Sequence, residues 1–333
     1  MSNREQLKKW VHRFSGQRIG IVGDLLADTY LTGITERVSR EAPVLIVRAE
    51  KEELVPGGAA NVACNLAALG AKVDVVGVTG QDQAGEGLKA ELKSRGINIQ
   101  PVISDLNYGT VSKTRILAGA KHTLAQQVLR VDREPCKPPS ATTMKKIVRQ
   151  LLSLDRHVDG WIISDYGYHL INKDIIEIMQ SVARQKPVLA DSRYQIHRFA
   201  KLTAIKPNEQ EALEAAGVTA NTRDGLLKAA DTLKKRVRTG AIIVTLGNQG
   251  MLVYESQKKY RFVPAIGSDQ ILDLTGAGDT AGATLLLSLS AGADFYQAAT
   301  LANCAGSVVV MKYGCACCYP KELLKVIDEH IAQ

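Results

Sequence analysis

Short apolar runs that each close on a glycine or a polar tip set the frame of this chain: RIGIVGD (18–24), KVDVVGVTG (72–80), GWIISDYG (160–167), KPVLADSR (186–193), LTAIKPN (202–208) and GAIIVTLG (240–247). Runs of this length have strand character, whereas NVACNLAALG, AGEGLKAELKSRG, KDIIEIMQSVARQ and NEQEALEAAG between them carry helical periodicity. Parallel strands need a crossover connection, so the alternation predicts a largely parallel α/β sheet with helices on both faces. In such open sheets ligands bind beyond the carboxyl ends of the strands. The tips GD, TG, SDYG, DSR, KPN and TLG are therefore expected to line one cleft.

Two stretches break the rhythm, about 29–56 (TYLTGITERVSREAPVLIVRAEKEELVP) and about 109–133 (GTVSKTRILAGAKHTLAQQVLRVDR). Both alternate polar with apolar positions and are rich in β-branched residues, as half-exposed strands are. They predict a small antiparallel sheet projecting from the main body, able to close over a ligand or to pair with a second subunit. The length of 333 residues suits one large domain with such an elaboration, spanning 1–333.

Composition narrows the function. No apolar run approaches the roughly 20 residues that cross a bilayer, and the amino end MSNREQLKKWVHRF is mixed in charge, so a cytoplasmic location without membrane attachment is expected. The net charge of +8 is scattered, and its densest run, KKRVR (234–238), closes an amphipathic helical pattern. With 5% aromatic residues and no basic stripe, nucleic acid is not the expected partner. Cys64, Cys136, Cys304, Cys315, Cys317 and Cys318 form no spaced framework and are expected as reduced thiols. CACC (315–318) lacks a further pair at zinc-finger spacing.

Four stretches carry chemistry. In DLTGAGDT (273–280), small residues run into the apolar stretch AGATLLLSLSAGA, a pattern for free backbone N–H groups at a helix start, where the dipole attracts anions. The spacing misses G-x-G-x-x-G, and no G-x-x-x-x-G-K-[ST] occurs. Asp279 fits a base that takes a proton from a hydroxyl attacking a phosphoryl group, or simply an acidic cap. In PGGAANVACNLAALG (56–70), paired glycines admit close backbone approach and Asn61 opens a helix, as a polyhydroxyl site or a plain helix start. In KPNEQEA (206–212), Asn208 and Glu211 lie one turn apart and suit Mg²⁺ directly or through its waters, or else form a cap on an acidic first turn. In VTLGNQG (244–250), Thr245 and the glycines could line a nucleotide phosphate or make a tight strand connection.

Taken together and in this order, these stretches resemble the ribokinase-like (PfkB) carbohydrate kinases from about residue 17 onward: GGAANVACNLAALGA is similar to the family's amino-terminal signature, and DLTGAGDTAGA to its carboxy-terminal one. The resemblance implies a three-layer α/β/α sandwich with a β lid. It implies Asp279 as catalytic base and the amides of Gly276, Ala277 and Gly278 as the anion hole for the γ-phosphate of ATP. It implies Asp28, Gly57, Gly58 and Asn61 on the sugar. Asn208 and Glu211 are implied near Mg²⁺ and phosphate, Thr245, Gly247 and Gly250 on the ATP side, Asn303 beside the adenine, and Asp273 and Thr275 at a monovalent cation such as K⁺. A homodimer through the lid also follows.

Within the family, GDLLADTY, RVSREAPVLIV, SKTRILA, QQVLRVDRE and SDYG look like the kinases acting on O1 of D-glycero-D-manno-heptose 7-phosphate. A phosphorylated substrate calls for fixed cations, for which Lys113, Arg115, Arg130 and Arg193 are the candidates. Two departures stand out: Tyr168 and His169 follow SDYG where that subgroup has Lys-Gly, bearing on the substrate, and GCACCYP replaces smaller hydroxyl or apolar residues, bearing on the nucleotide pocket. No GTFD-like or H-x-G-H stretch is present, so the kinase alone is expected. Another sugar or sugar phosphate is the alternative acceptor, and a catalytically silent sugar- or nucleotide-binding regulator the alternative class.

Overall fold

The computed structural model describes residues 3–120, 125–220, 222–267 and 271–331. Its strands are β1 (Arg18–Gly23), β2 (Leu25–Val38), β3 (Leu45–Gly58), β4 (Lys72–Thr79), β5 (Val102–Ser104), β6 (Val111–Gly119), β7 (Gln126–Arg133), β8 (Gly160–Asp165), β9 (Val188–Ser192), β10 (Ala204–Ile205), β11 (Ala241–Thr245), β12 (Met251–Ser256) and β13 (Lys259–Val263). The helices are α1 (Asn3–Arg13), α2 (Ala59–Ala68), α3 (Gln83–Ser94), α4 (Ala141–Asp155), α5 (Lys173–Val182), α6 (Glu209–Ala216), α7 (Arg223–Val237), α8 (Ala277–Ala291), α9 (Phe295–Val309) and α10 (Pro320–His330).

The large sheet has nine strands in the order β13-β12-β11-β10-β9-β8-β1-β4-β5, parallel from β5 to β11 and antiparallel at β12 and β13. Its strands alternate between two cores. Ile19, Ile21 and Ile162 pack with residues of α1, α2, α3, α8, α9 and α10, while Val22, Trp161 and Ile163 pack with residues of α4, α5, α6 and α7. This is the expected three-layer sandwich. Every residue of β8 is buried, which is why a strand covered on both faces appears in sequence as an unbroken apolar run. All six apolar runs contain strands, with the polar tips at their carboxyl ends.

The second sheet has four strands in the order β3-β2-β6-β7, matching the two interrupting stretches. Residues 121–124 of the second stretch lie outside the described residues. The expectation of an antiparallel sheet needs correction, because the central pair β2 and β6 is parallel. The cause is connectivity: β2 continues β1 with only Asp24 between them, and β6 leaves after β5, so both central strands run outward from the same end of the main sheet. At its other end β3 passes straight into α2. Register places Asp28 beside Lys113, Tyr30 beside Arg115, and Arg115 beside Arg130, so these side chains share one face. Among the described residues no helix is long and apolar enough to cross a membrane.

Candidate active site

The site lies where the tips of β1, β8, β9 and β10 meet the amino end of α8 and the base of the lid. Gly276 caps α8 in a left-handed conformation, φ 79°, and a Cβ there would stand 2.7 Å from Asn61 Nδ2. Asp279, in the first turn, is 8% exposed. Asn61 Nδ2 donates to its Oδ2 at 2.7 Å, and Tyr166 Oη donates to its Oδ1 at 2.9 Å. Burial pushes its carboxyl up to about 6, with repulsion from Asp191 adding to the rise, while the bonds from Asn61 and Tyr166 and the charge of Lys206 pull it down. The carboxylate is thus oriented on both oxygens, with its raised carboxyl in the range that suits a general base.

Of the three amides predicted as an anion hole, Ala277 N–H is bonded to Leu274 O at 3.2 Å. Among the described residues the N–H groups of Gly276, Gly278 and Asp279 meet no acceptor. The unengaged donors therefore flank the base. Asp273, four residues ahead of Ala277, accepts Thr275 N–H at 2.8 Å and Gly314 N–H at 2.9 Å through its two oxygens. It ties the turn before α8 to the segment after α9, and each oxygen keeps a second lone pair for a monovalent cation.

On the lid side, Asp28 Oδ1 accepts from Arg115 Nη1 at 2.6 Å, with only 9% of the Asp28 side chain and 19% of the Arg115 side chain exposed. The Arg115 guanidinium also lies 5.3 Å from the Tyr30 ring. A Cβ on Gly57 would stand 2.3 Å from Asp28 Oδ2, and one on Gly58 2.7 Å from Leu26 and 2.8 Å from Asp24 O. The paired glycines thus admit the lid carboxylate to the start of α2, two residues before Asn61. The four candidate cations are not equivalent. Arg115 is committed to Asp28, and Arg130 to Asp132 on its own strand. Lys113, half-buried, sits in register between Asp28 and Asp132, and Arg193 stands apart, exposed at the end of β9 beside Tyr194.

On the other side, Asn208 and Glu211 form a reciprocal capping box on α6: Asn208 Oδ1 accepts from Glu211 N–H at 2.8 Å and Glu211 Oε2 from Asn208 N–H at 2.9 Å. The cap is real, yet Glu211 Oε1 and the second lone pair of Asn208 Oδ1 remain for a hydrated Mg²⁺, so the donor set fits that ion through its waters. Burial raises the Glu211 carboxyl, and Asp191 adds to the rise. Thr245 bridges to Asn208, and the turn between β11 and β12 that holds Gly247 and Gly250 is both a tight connection and part of this wall. Asn303 on α9 donates to Pro264 O at 2.5 Å.

Sequence reasoning missed Tyr166, Lys206 and Asp191. Lys206 is 3% exposed and paired with Asp191 at 2.8 Å, and its Nζ is 3.9 Å from where a Gly278 Cβ would sit. Burial alone would lower this ammonium, but Asp191, Glu211 and Asp279 together raise it, so a fixed cation stands beside the α8 amides. The only signal for these residues was their position at strand tips. Cys315 lies among Asp28, Asp279, Arg115 and Asp273, and burial pushes its thiol up to about 12. Cys317 and Cys318 are buried.

Residues 17–322 match the model of the pfkB family carbohydrate kinases. The chain belongs to that family. Accordingly it is a carbohydrate kinase. It is 38% identical over 313 residues to the bifunctional protein HldE of Helicobacter hepaticus, covering 93% of this chain and 64% of that one. HldE of Desulfatibacillum aliphaticivorans is 37% identical over 326 residues, covering 97% of this chain and 65% of that one. The chain thus spans about two thirds of the length of these curated relatives, 64% and 65%. Arabidopsis thaliana ribokinase complexed with ribose and ATP superposes with a TM-score of 0.71 at 21% identity, over 93% of this chain and 98% of that one, which shows the ribokinase-like fold.

Proposed function

We propose that this kinase transfers the γ-phosphoryl group of ATP to O1 of D-glycero-D-manno-heptose 7-phosphate, giving the 1,7-bisphosphate. The observation that carries the reaction type is Asp279: a buried carboxylate oriented by two donors, at a helix amino end with unengaged amides and with Lys206 alongside. In this reading Asp279 accepts the proton of the sugar hydroxyl, whose oxygen forms the new P–O bond as the bond to ADP breaks. The amides of Gly276 and Gly278 and the Lys206 ammonium stabilise charge on the transferring group, the electrostatic work that dominates phosphoryl transfer. Asn208 and Glu211 would hold Mg²⁺, which would supply charge neutralisation on the phosphates. Asp273 and Thr275 are the candidate K⁺ ligands.

Asp28, kept in place by Arg115, and Asn61 address the sugar hydroxyls, and Lys113 is the cation best placed on the lid for the substrate phosphate. The choice of acceptor rests on the heptose-kinase stretches of the sequence and on the relatives named HldE. Thr245, Gly247, Gly250 and Asn303 border ATP. The apolar lid residues Val38, Leu45, Leu129 and Val131, all exposed, support pairing of two lids in a homodimer.

The test is ADP release with ATP and Mg²⁺ against heptose 7-phosphate, heptose, ribose, fructose, fructose phosphates and adenosine. Turnover confined to heptose 7-phosphate, phosphorylated at O1, is the expected result. Turnover on another sugar keeps the kinase and removes the acceptor, and no turnover on any member of the panel turns the assignment toward a binding protein.

A further inference from the structure

The turn after β8 is pinned from two sides. Asp24 Oδ2 accepts the N–H groups of Tyr166 at 2.8 Å and Tyr168 at 3.2 Å. Asp165 accepts Gly167 N–H at 3.1 Å through one oxygen and Ser192 Oγ–H at 2.7 Å through the other. Gly167 and His169 are both left-handed, at φ 84° and 68°, so the chain reverses tightly around Tyr168. Tyr168 Oη in turn donates to Glu134 just beyond β7, at 3.0 Å. The outcome of this bracing is the placement of one hydroxyl. The Tyr166 ring edge lies 3.4 Å from where a Gly58 Cβ would sit, and its Oη reaches Asp279 Oδ1.

A phenol has one proton to donate, and here it goes to Asp279. With Asn61 on Oδ2, the two donors fix the rotation of the carboxylate and leave one free lone pair on each oxygen for an incoming hydroxyl. Both donors favour the charged form. Against them work burial and Asp191 at the end of β9, while Lys206 after β10 assists them. Cys315, from the segment after α9, faces the same carboxylate and stays a neutral thiol. Burial and the proximity of Asp279 hold the Tyr166 phenol well above its ordinary range, so it stays protonated and donates to the carboxylate.

We propose that Tyr166 is a positioning residue that orients the Asp279 carboxylate and keeps it ionised, so that its hydroxyl sets the acid limb of the kinase reaction. This rests on the reading of Asp279 as base. Removing one hydrogen bond to a carboxylate moves its titration upward by about one pH unit. In Tyr166→Phe the wild-type to variant ratio of kcat is therefore expected to be about tenfold at pH 5 and to close toward parity above pH 8. Titration of ATP itself cancels in that ratio.

The closing experiment has a readout independent of turnover: the ¹³C carboxyl resonance of Asp279, assigned by its absence in Asp279→Asn and titrated in both backgrounds. Tyr166→Phe should raise its midpoint, and replacing Tyr166 by 3,5-difluorotyrosine, a stronger donor of nearly the same shape, should lower it. A midpoint that stays fixed in both, with a rate deficit independent of pH, overturns the proposal. Full turnover in Asp279→Asn removes the base reading instead, and with it the claim on the acid limb, while the carboxyl midpoints still decide whether Tyr166 holds the charge.

Discussion

An ionised Asp279 costs this fold stability, and its removal should show the cost. Its carboxyl sits at about 6 in the folded protein, against an ordinary value near 4 in the unfolded chain. Below about pH 4 both states are protonated and the residue is neutral in the balance. Between about pH 4 and 6 the unfolded chain releases its proton while the folded protein keeps it, so stability falls as pH rises. Above about pH 6 the loss is complete, at about 1.36 kcal/mol per pH unit of difference, or about 3 kcal/mol. Asp279→Asn removes the titration and keeps the shape: its carbonyl oxygen can accept from Asn61, and its amide can donate to Tyr166 Oη. The variant is expected to melt about 4 °C higher than wild type at pH 8, with the gap closing at pH 4, and to lose about 10³-fold or more in turnover. Scanning fluorimetry across that pH range makes the comparison directly. A melting difference that does not change with pH would refute the reasoning, because it would mean that the carboxyl is not held above its ordinary range.

Arg115→Met leaves Asp28 without its partner, and kcat/KM for the sugar should fall about 10–100-fold while KM for ATP changes little. An equal loss in both would place Arg115 outside the sugar side. Gly276→Ala puts a methyl 2.7 Å from Asn61 Nδ2 at a left-handed φ, and steady-state kinetics should show kcat reduced about 10²-fold. Wild-type turnover there would remove the turn before α8 from the mechanism. Leu129→Lys with Val131→Lys should convert a dimer to monomers in sedimentation velocity, and an unchanged sedimentation coefficient would exclude pairing through that part of the lid.

What could be foreseen from sequence followed local physics. The strands from β1 to β11 that lie inside the sheet are covered on both faces and stand out as apolar runs, whereas β13, KYRFV, is largely exposed and gives no such signal. Gly276, Asp279 and the Asn208–Glu211 cap were visible because turn and cap chemistry is written within a few residues. Tyr166 was not, since its partner Asp279 is 113 residues away. Lys206 follows a strand in a polar tip and has the look of a surface lysine until the fold places Asp191 against it. The same limit applied to the lid: alternation foretold its strands, but the parallel pairing of β2 with β6 depends on which core strand feeds each one. Arg130, chosen for its charge, is satisfied by Asp132 two residues along the same strand.

The way the lid joins the body has a mechanical consequence. Asp24 is bonded through its N–H to Ser164 O and through its C=O to Ala59 N–H, both at 3.0 Å, so the first residue beyond β1 is clamped to β8 and to the head of α2 at once. The lid therefore has no slack hinge at its root. Because Asn61 Nδ2 also holds Asp279 Oδ2, the root of the lid, the head of α2 and the Asp279 carboxylate form one continuous hydrogen-bonded chain.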